Sequence, residues 1–325
     1  MSLREDLVRA LDHPLVGTHF DGLGARYEGK VRDNYTKDGV RVLVTTDRIS
    51  AFDRVLGTLP LKGQILNALA AHWFEATRDV APNHVISVPD PNVLIAHECE
   101  ALPVEMVVRA YVTGVTSTSL WTHYARGERT FCGHTLPDGL RKNQALPEPI
   151  LTPSTKAEKG GHDVSVSRAE LLSSGKISAR DFDRAGDIAM ALFAFGQRAC
   201  AARGLILVDT KYELGKLPNG EIVVIDEIHT PDSSRFWFRA TYDERSSRGE
   251  EPESFDKEHV RKHLAGLGFT GDGPIPPIPD DVKLDASLRY AEALSAITGK
   301  DFVPDLEEPL ARIARNLGLG GAGVR

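Results

Sequence analysis

Cysteine is scarce: Cys99, Cys132 and Cys200 are the only three in 325 residues, and they stand far apart. No disulfide framework and no cysteine-based metal spacing is available, a usage that suits a reducing cytosol and ordinary buried or half-buried thiols. Long apolar runs are missing too; none approaches the roughly 20 residues that a spanning helix needs. The opening MSLREDLVRALDHPL carries acids and no sustained apolar stretch, so no signal peptide is indicated. Nor is there a basic excess. Lys and Arg number 39 against 46 Asp and Glu, a net charge of −7, which leaves no basic stripe for tracking nucleic acid. A phosphorylated small molecule needs only a few cations in one pocket and stays compatible with this balance. Internal repeats are absent, and the histidines do not pair at metal spacing. His162, in GGHD, is the one histidine that stands out, and it reads as a loop residue.

What the chain does have is enough apolar content, 41%, to bury a sizeable core, split over two domains at this length. A short helix is expected over residues 1–12. From Tyr27 to Asp47 the pattern is strand, turn, strand, with Asp38-Gly39 as a hairpin signal. A helix follows at about Gly63–Thr77, with apolar residues at helical spacing. HVISVP and VEMVVRAYVTG read as strands, so a small sheet with one packed helix runs to about residue 105. From Cys132 to Asp163 the chain turns irregular and ends in LTPSTKAEKGGHD, a loop of the length that is usually functional or disordered. A helix over about Ser178–Arg203 ends before Gly204, a natural residue to stop it. GLILVDTKYELG and EIVVIDE form a second hairpin around Pro218-Asn219-Gly220. GDGPIPPIPDD, residues 271–281, is a proline-rich connector to a helical tail, whose expected role is packing against the second domain, residues 106–325.

The second hairpin carries the chemistry. Alternate residues of a strand share a face, so Asp209, Lys211 and Glu213 point the same way. If Asn219-Gly220 is a two-residue loop, Glu213 lies opposite Asp226; with the turn one residue earlier, Asp226 lies opposite Lys211. Two carboxylates facing each other at roughly 5 Å repel. A hard divalent cation reverses that sign, and Mg²⁺ characteristically takes one or two carboxylates plus substrate phosphates. Lys211 beside them supplies charge for a transferring phosphoryl group. The competing reading is an edge hairpin with solvated charges, against which stand the apolar flanks LILV and IVVI.

In the first hairpin, Gly29-Lys30-Val31-Arg32 places Lys30 and Arg32 on one strand face beside a flexible glycine, an arrangement able to lie over phosphates. It is neither a Walker A loop nor GxGxxG, and a cationic surface strand would look the same. TTDRISAFD presents Ser50 and Asp53 in a turn, where polar caps are the plain explanation. Arg109 follows the apolar VEMVV, and Arg235 sits in PDSSRFW. An arginine among apolar neighbours needs an anion, either a protein carboxylate or a ligand phosphate.

Together GKVRDNY, TTDRISAFD, LPVEMVVRAYVTG, LTPSTKAEKGGHD, LVDTKYELG and DEIHTPDSSRFW, from about Tyr27 to Leu264, resemble the SAICAR synthetase (phosphoribosylaminoimidazole-succinocarboxamide synthase) family, in its longer, typically monomeric variety. The resemblance implies an α+β fold of two domains with ATP in the cleft: a small N-terminal antiparallel sheet domain, distantly kinase-like, and a larger α/β C-terminal domain. It implies an ATP- and Mg²⁺-dependent ligase of purine biosynthesis, joining L-aspartate to a carboxyaminoimidazole ribonucleotide. By the same resemblance Lys30 and Arg32 would line the ATP phosphates, with adenine near Glu98–Leu102. Glu213 and Asp226 would hold Mg²⁺. Arg109, Arg235 and Arg261 would bind the ribonucleotide phosphate, and Asp209 and Lys211 its imidazole and carboxylate. Ser50, Asp53, Lys156 and Asp163 would complete the region where the carboxylate is activated. One departure stands out: the family's Gly-Ser after the arginine reads Gly114-Val115 here, leaving Thr116 or Ser117 to take up a phosphate contact. Another ATP-dependent phosphotransferase on the same scaffold, or a nucleotide-binding module without turnover, would share the hairpins but has no use for PDSSRFW and TPSTKAEKGGHD together.

Overall fold

The computed structural model describes residues 2–51, 54–116, 118–156, 163–255, 258–269, 271 and 273–319. The chain opens with α1 (Leu3–Ala10), closed at its start by a capping box in which Ser2 and Glu5 bond each other's backbone. Strands β1 (Ala25–Glu28), β2 (Arg32–Lys37) and β3 (Val40–Thr45) follow. Lys37 pairs with Val40 across Asp38 and Gly39, both at positive φ, which is the tight two-residue hairpin that Asp-Gly favours. A small hairpin, β4 (Arg48–Ala51) and β5 (Arg54–Thr58), leads into α2 (Lys62–Ala76), then β6 (Val85–Asp90) and β7 (Val93–His97). The first sheet has the order β1-β2-β3-β7-β6 and is antiparallel throughout.

The second sheet begins with β8 (Glu100–Val112), so the change of sheet comes at residues 98–99, and position 105 lies within a continuous strand. After β8 come α3 (Leu120–Ala125), β9 (Thr130–Phe131), β10 (His134–Thr135), β11 (Gln144–Leu151), β12 (Ser154–Thr155), α4 (Arg168–Ser173) and α5 (Ala179–Ala201). Next are β13 (Leu205–Lys216), β14 (Ile222–Ile225), β15 (Ser234–Phe238), α6 (Arg239–Ser247), α7 (Glu258–Gly266), α8 (Asp280–Thr298) and α9 (Pro309–Asn316). The sheet runs β11-β8-β13-β14, with β12 also on β8 and β15 on β13.

Period-two alternation gives β8 two unlike faces. Val104, Met106, Val108 and Ala110 join the core with Ala185, Ile188, Leu192 and Phe193 of α5. Glu105, Val107 and Arg109 are left for the other face, together with Asp209, Lys211 and Glu213 of β13. The first sheet divides likewise: Leu43, Leu94 and Ala96 pack with α2, while Tyr35, Val42, Val44 and Val93 pack with Leu15, Phe20 and Ile313 of α9. The tail therefore does not serve the second sheet alone. Helix α8 packs on α1, α2 and α7, and α9 covers the outer face of the first sheet. Its charge anchor is Arg312, 1% exposed, which reaches Asp90 (Nε to Oδ2, 3.1 Å) and Asn92 (Nη2 to Oδ1, 2.5 Å).

Cys99 and Cys200 are buried and Cys132 is half-buried. Burial pushes their thiols up, to about 11 for Cys99 and about 12 for the other two, which makes them poor nucleophiles. Arg312→Ala would strand the Asp90 carboxylate in the interior. We expect it to cost about 3–5 kcal/mol of unfolding free energy, read from the shift of the urea midpoint at unchanged slope.

Candidate active site

Between the sheets lies a cleft of about 540 Å³, open at one side. One wall is the loop joining β1 to β2. Here the expectation of a strand through Lys30 gives way: Glu28 pairs with Asp33, and Gly29 N–H donates to Arg32 C=O (2.8 Å), so residues 29–31 form a hairpin loop and Arg32 starts β2. The loop is held from behind. Buried Arg48 donates to Gly29 C=O (2.9 Å) and Lys30 C=O (3.2 Å) and bonds Asp33 Oδ1 (2.9 Å), while Thr46 Oγ1 donates to Val31 C=O (2.6 Å). Much of TTDR thus shapes the loop that presents Lys30. A buried arginine in that motif was a legible signal that sequence reasoning passed over.

The opposite wall is the β13–β14 hairpin. Leu217 N–H donates to Glu221 C=O and Gly220 N–H to Leu217 C=O, so the loop has three residues, with Gly220 at φ 87. Both registers expected from sequence are therefore replaced: Glu213 pairs with Ile225, not Asp226, and Lys211 is not opposite Asp226. Cross-strand partners share a face, so in a continuing extended strand Asp226 would point toward α5. It leaves the strand at φ 65, a left-handed conformation costing about 1–2 kcal/mol for a residue with a Cβ, and lines the cleft beside Ile225.

Cations and carboxylates meet in pairs in this cleft, and one cation crosses it. Arg32 reaches from the first sheet to Asp226 Oδ1 (2.9 Å) and Glu227 Oε2 (2.8 Å). Lys156 Nζ lies 2.5 Å from Glu213 Oε2, and Lys211 Nζ 2.5 Å from Glu105 Oε1. Burial opposes the Lys211 charge, yet Glu105, Glu213 and Asp226 outweigh it and hold its pKa above the ordinary value. Glu213 is buried, which favours its acid form, but Lys156 and Lys211 draw its pKa below the usual range. Asp226 goes the other way: burial, helped by Glu213 and Glu227, raises it to about 6 despite Arg32.

Farther along the sheet, Arg235 Nη1 donates to Asp209 Oδ2 (2.8 Å), with Arg109 Nη1 at 3.7 Å from the same oxygen and Arg109 Nε on Thr152 Oγ1 (3.0 Å). Ser50 and Arg261, the latter on α7, line the cleft with Lys30, Arg32, Lys156, Lys211, Glu213 and Asp226. Asp163 lies near enough to Glu105 to raise its pKa, after burial and Glu213. Glu98 stands at the sheet-to-sheet connection, gripped by Arg41 through Nε (2.6 Å) and Nη2 (2.7 Å). Leu102 sends its side chain into the core, and Cys99 and Ala101 line the cleft there instead. Thr116 is exposed, 3.4 Å from Thr118 through the hydroxyls and outside the cleft lining, and Val115 is 73% exposed. Asp53, Ser117 and His162 lie outside the described residues. Sequence reasoning missed Glu105, Arg41 and Glu227. Each is a charge inside or beside an apolar strand or next to a chosen carboxylate, the same signal that picked out Arg109.

A cleft of this make, lined by cations and carboxylates from two sheets, is of the class that takes charged, phosphorylated small molecules. The SAICAR synthetase family model matches residues 25–273. The chain is 48% identical over 288 residues to phosphoribosylaminoimidazole-succinocarboxamide synthase of Legionella pneumophila, covering 87% of this chain and 90% of that one. Its fold superposes on SAICAR synthase of Saccharomyces cerevisiae complexed with SAICAR at a TM-score of 0.77, with 31% identity, over 89% of this chain and all of that one. A type-2 SAICAR synthetase in complex with ADP aligns at a TM-score of 0.65, with 26% identity, over 86% of this chain and all of the other. The chain belongs to the SAICAR synthetase family. It is an ATP-dependent ligase of purine biosynthesis, which condenses the carboxyaminoimidazole ribonucleotide with L-aspartate to the succinocarboxamide.

Arg32 lowers the Asp226 pKa, so its removal moves that pKa upward. In Arg32→Gln we expect the Asp226 carboxyl to titrate about 1–3 units above 6, followed by carbon-detected NMR of labelled aspartate.

Proposed function

We propose that the cleft holds Mg²⁺·ATP between the 29–31 loop and the β13–β14 hairpin, and that the ribonucleotide lies along β8 and β13 toward Arg109 and Arg235. What carries this reading is Arg32 bridging the cleft to Asp226 and Glu227, beside the Lys156–Glu213 pair on the second wall. A phosphate chain presents anions to Arg32, Lys30 and Lys156, and a divalent ion presents charge to Glu213 and Asp226, so both halves of each pair acquire a partner. The two carboxylates fit Mg²⁺ by donor type. Among the described residues no three acidic, His or Cys side chains converge as a metal cage, so phosphate and water oxygens would complete the coordination.

A carboxylate resists attack by an amine because oxide is a poor leaving group. Transfer of the γ-phosphoryl group of ATP to the ribonucleotide carboxylate gives an acyl phosphate and ADP. The aspartate amine then attacks the acyl carbon, losing a proton as the amide forms and phosphate departs. Mg²⁺, when bound, supplies charge neutralisation at the phosphates. Lys30 and Arg32 hold the phosphate chain in line, and Lys211, kept protonated by Glu105, steadies the carboxylate under attack. Asp209, whose Oδ2 faces both Arg235 and Arg109, holds those two guanidiniums side by side for the ribonucleotide phosphate, with Arg261 of α7 as a third cation. Ser50 and Asp163 would stand on the side where aspartate arrives, and adenine would lie by Glu98–Leu102, against Cys99 and Ala101.

The small sheet acts in this reading as the cover and the large sheet as the base, the two meeting at residues 98–99. The protein would work as a monomer in the cytoplasm. Supporting the latter are its free cysteines and, among the described residues, the absence of any helix long and apolar enough to cross a membrane.

ADP release from purified protein, with ATP and Mg²⁺, should require both the carboxylated ribonucleotide and aspartate. Asp226→Asn should abolish it with the fold intact by circular dichroism; normal turnover in that variant would sink the metal assignment. Since Asp226 must be ionised to bind a cation, the apparent Mg²⁺ affinity should fall about tenfold per unit below pH 6, measured by Mg²⁺ titration of ADP binding.

A further inference from the structure

We propose that His229 is a positioning residue for Asp226, tied to β13 through the hydroxyl of Tyr212; this rests on the reading of Asp226 as a metal carboxylate. The register makes the need plain. The ladder ends at Ile225, and only the left-handed backbone of Asp226 (φ 65) brings its carboxylate to the Glu213 side. Three residues on, His229 is again left-handed, at φ 47. Two such residues in one short turn persist only where the surroundings determine them.

Those surroundings converge on the His229 ring, which is fully buried. Tyr212 Oη lies 2.5 Å from its Nε2. Trp73 of α2 meets it edge-on, with ring centres 4.7 Å apart. Behind it α5 carries Gly196, where a Cβ would stand 2.4 Å from Cε1 and 2.8 Å from Nδ1. A glycine in the middle of a helix is unfavourable without a reason; here the ring occupies the space. Nδ1 has no hydrogen-bond partner among the described residues, so the bond to Tyr212 is the one that orients the imidazole.

Tyr212 sits between Lys211 and Glu213 and points to the opposite face of β13. One strand therefore presents Glu213 to the cleft and, on its reverse, fastens the turn that delivers Asp226. The separation of the two carboxylates is set by this single strand rather than by the loop's own preferences. Thr230 Oγ1, donating to Glu227 Oε2 (2.8 Å), secures the turn on its other side.

The test measures ADP binding by calorimetry with and without Mg²⁺, alongside melting temperature. Asp226→Asn should erase the Mg²⁺ enhancement; if it does not, the metal reading itself fails. Tyr212→Phe should cut the enhancement about tenfold and kcat with it, leaving metal-free ADP binding unchanged. Gly196→Ala, which displaces the ring from behind, should do the same. His229→Asn, able to adopt the left-handed backbone and to accept from Tyr212, should keep more of the enhancement than His229→Leu. If the folded Tyr212→Phe and Gly196→Ala proteins lose only melting temperature, or if the Asn and Leu variants behave alike, the positioning role is overturned.

Discussion

Everything in the cleft depends on Arg32 reaching across it. Its guanidinium is set by β2 in the first sheet, and its two anions, Asp226 and Glu227, stand at the end of β14 in the second. The contact spans both halves of the molecule with two charge-assisted bonds, and it fixes how far apart the walls are. A partly buried carboxylate next to other carboxylates is tolerable only with such a partner. Burial, with Glu213 and Glu227 nearby, raises the Asp226 pKa to about 6 even against Arg32, and Glu213, buried as well, is drawn below the usual range by Lys156 and Lys211.

The same economy recurs along the β8–β13 face. Glu105 is matched by Lys211, Asp209 by Arg235 and Arg109, Glu98 by Arg41. The charges of the site thus face one another in pairs, which lets an acidic protein gather a dense set of cations in one place. In the function proposed above, the same cations face phosphates and a carboxylate. Glu105, Arg109, Asp209, Lys211 and Glu213 are carried by strands of a packed sheet, whereas Lys30, Lys156, Asp226 and Glu227 stand in the loops and turns beside it.

Most of this was legible in the sequence, for definite reasons. Asp38-Gly39, the apolar alternation of β8 and β13, and the long helix before Gly204 each obey a local rule, and the structure follows them. Gly29 to Arg32 did not, because loop and strand look alike over four residues when the register is set by Glu28 pairing with Asp33. The β13–β14 register escaped for a related reason. Pro218-Asn219-Gly220 permits loops of two or three residues, and only the partner strands decide. The position of Asp226 was then reached by the wrong route, since a left-handed aspartate has no mark in a sequence. Leu102 and Thr116 show the limit of motif transfer: a residue near a site in the chain can still face the core or the solvent.

The placement of α9 has a consequence for how the protein comes into being. The strands of the first sheet are all synthesised by residue 97, but the helix that covers their outer face arrives only with residues 309–316. On the ribosome, therefore, Val42, Val44 and Val93 emerge early and wait, covered only in part by Leu15 and Phe20, while more than 200 further residues are added. At about 5–20 residues per second that is an interval of roughly ten seconds or more, long enough for a chaperone to visit. The first part of the chain to be made is among the last to be finished.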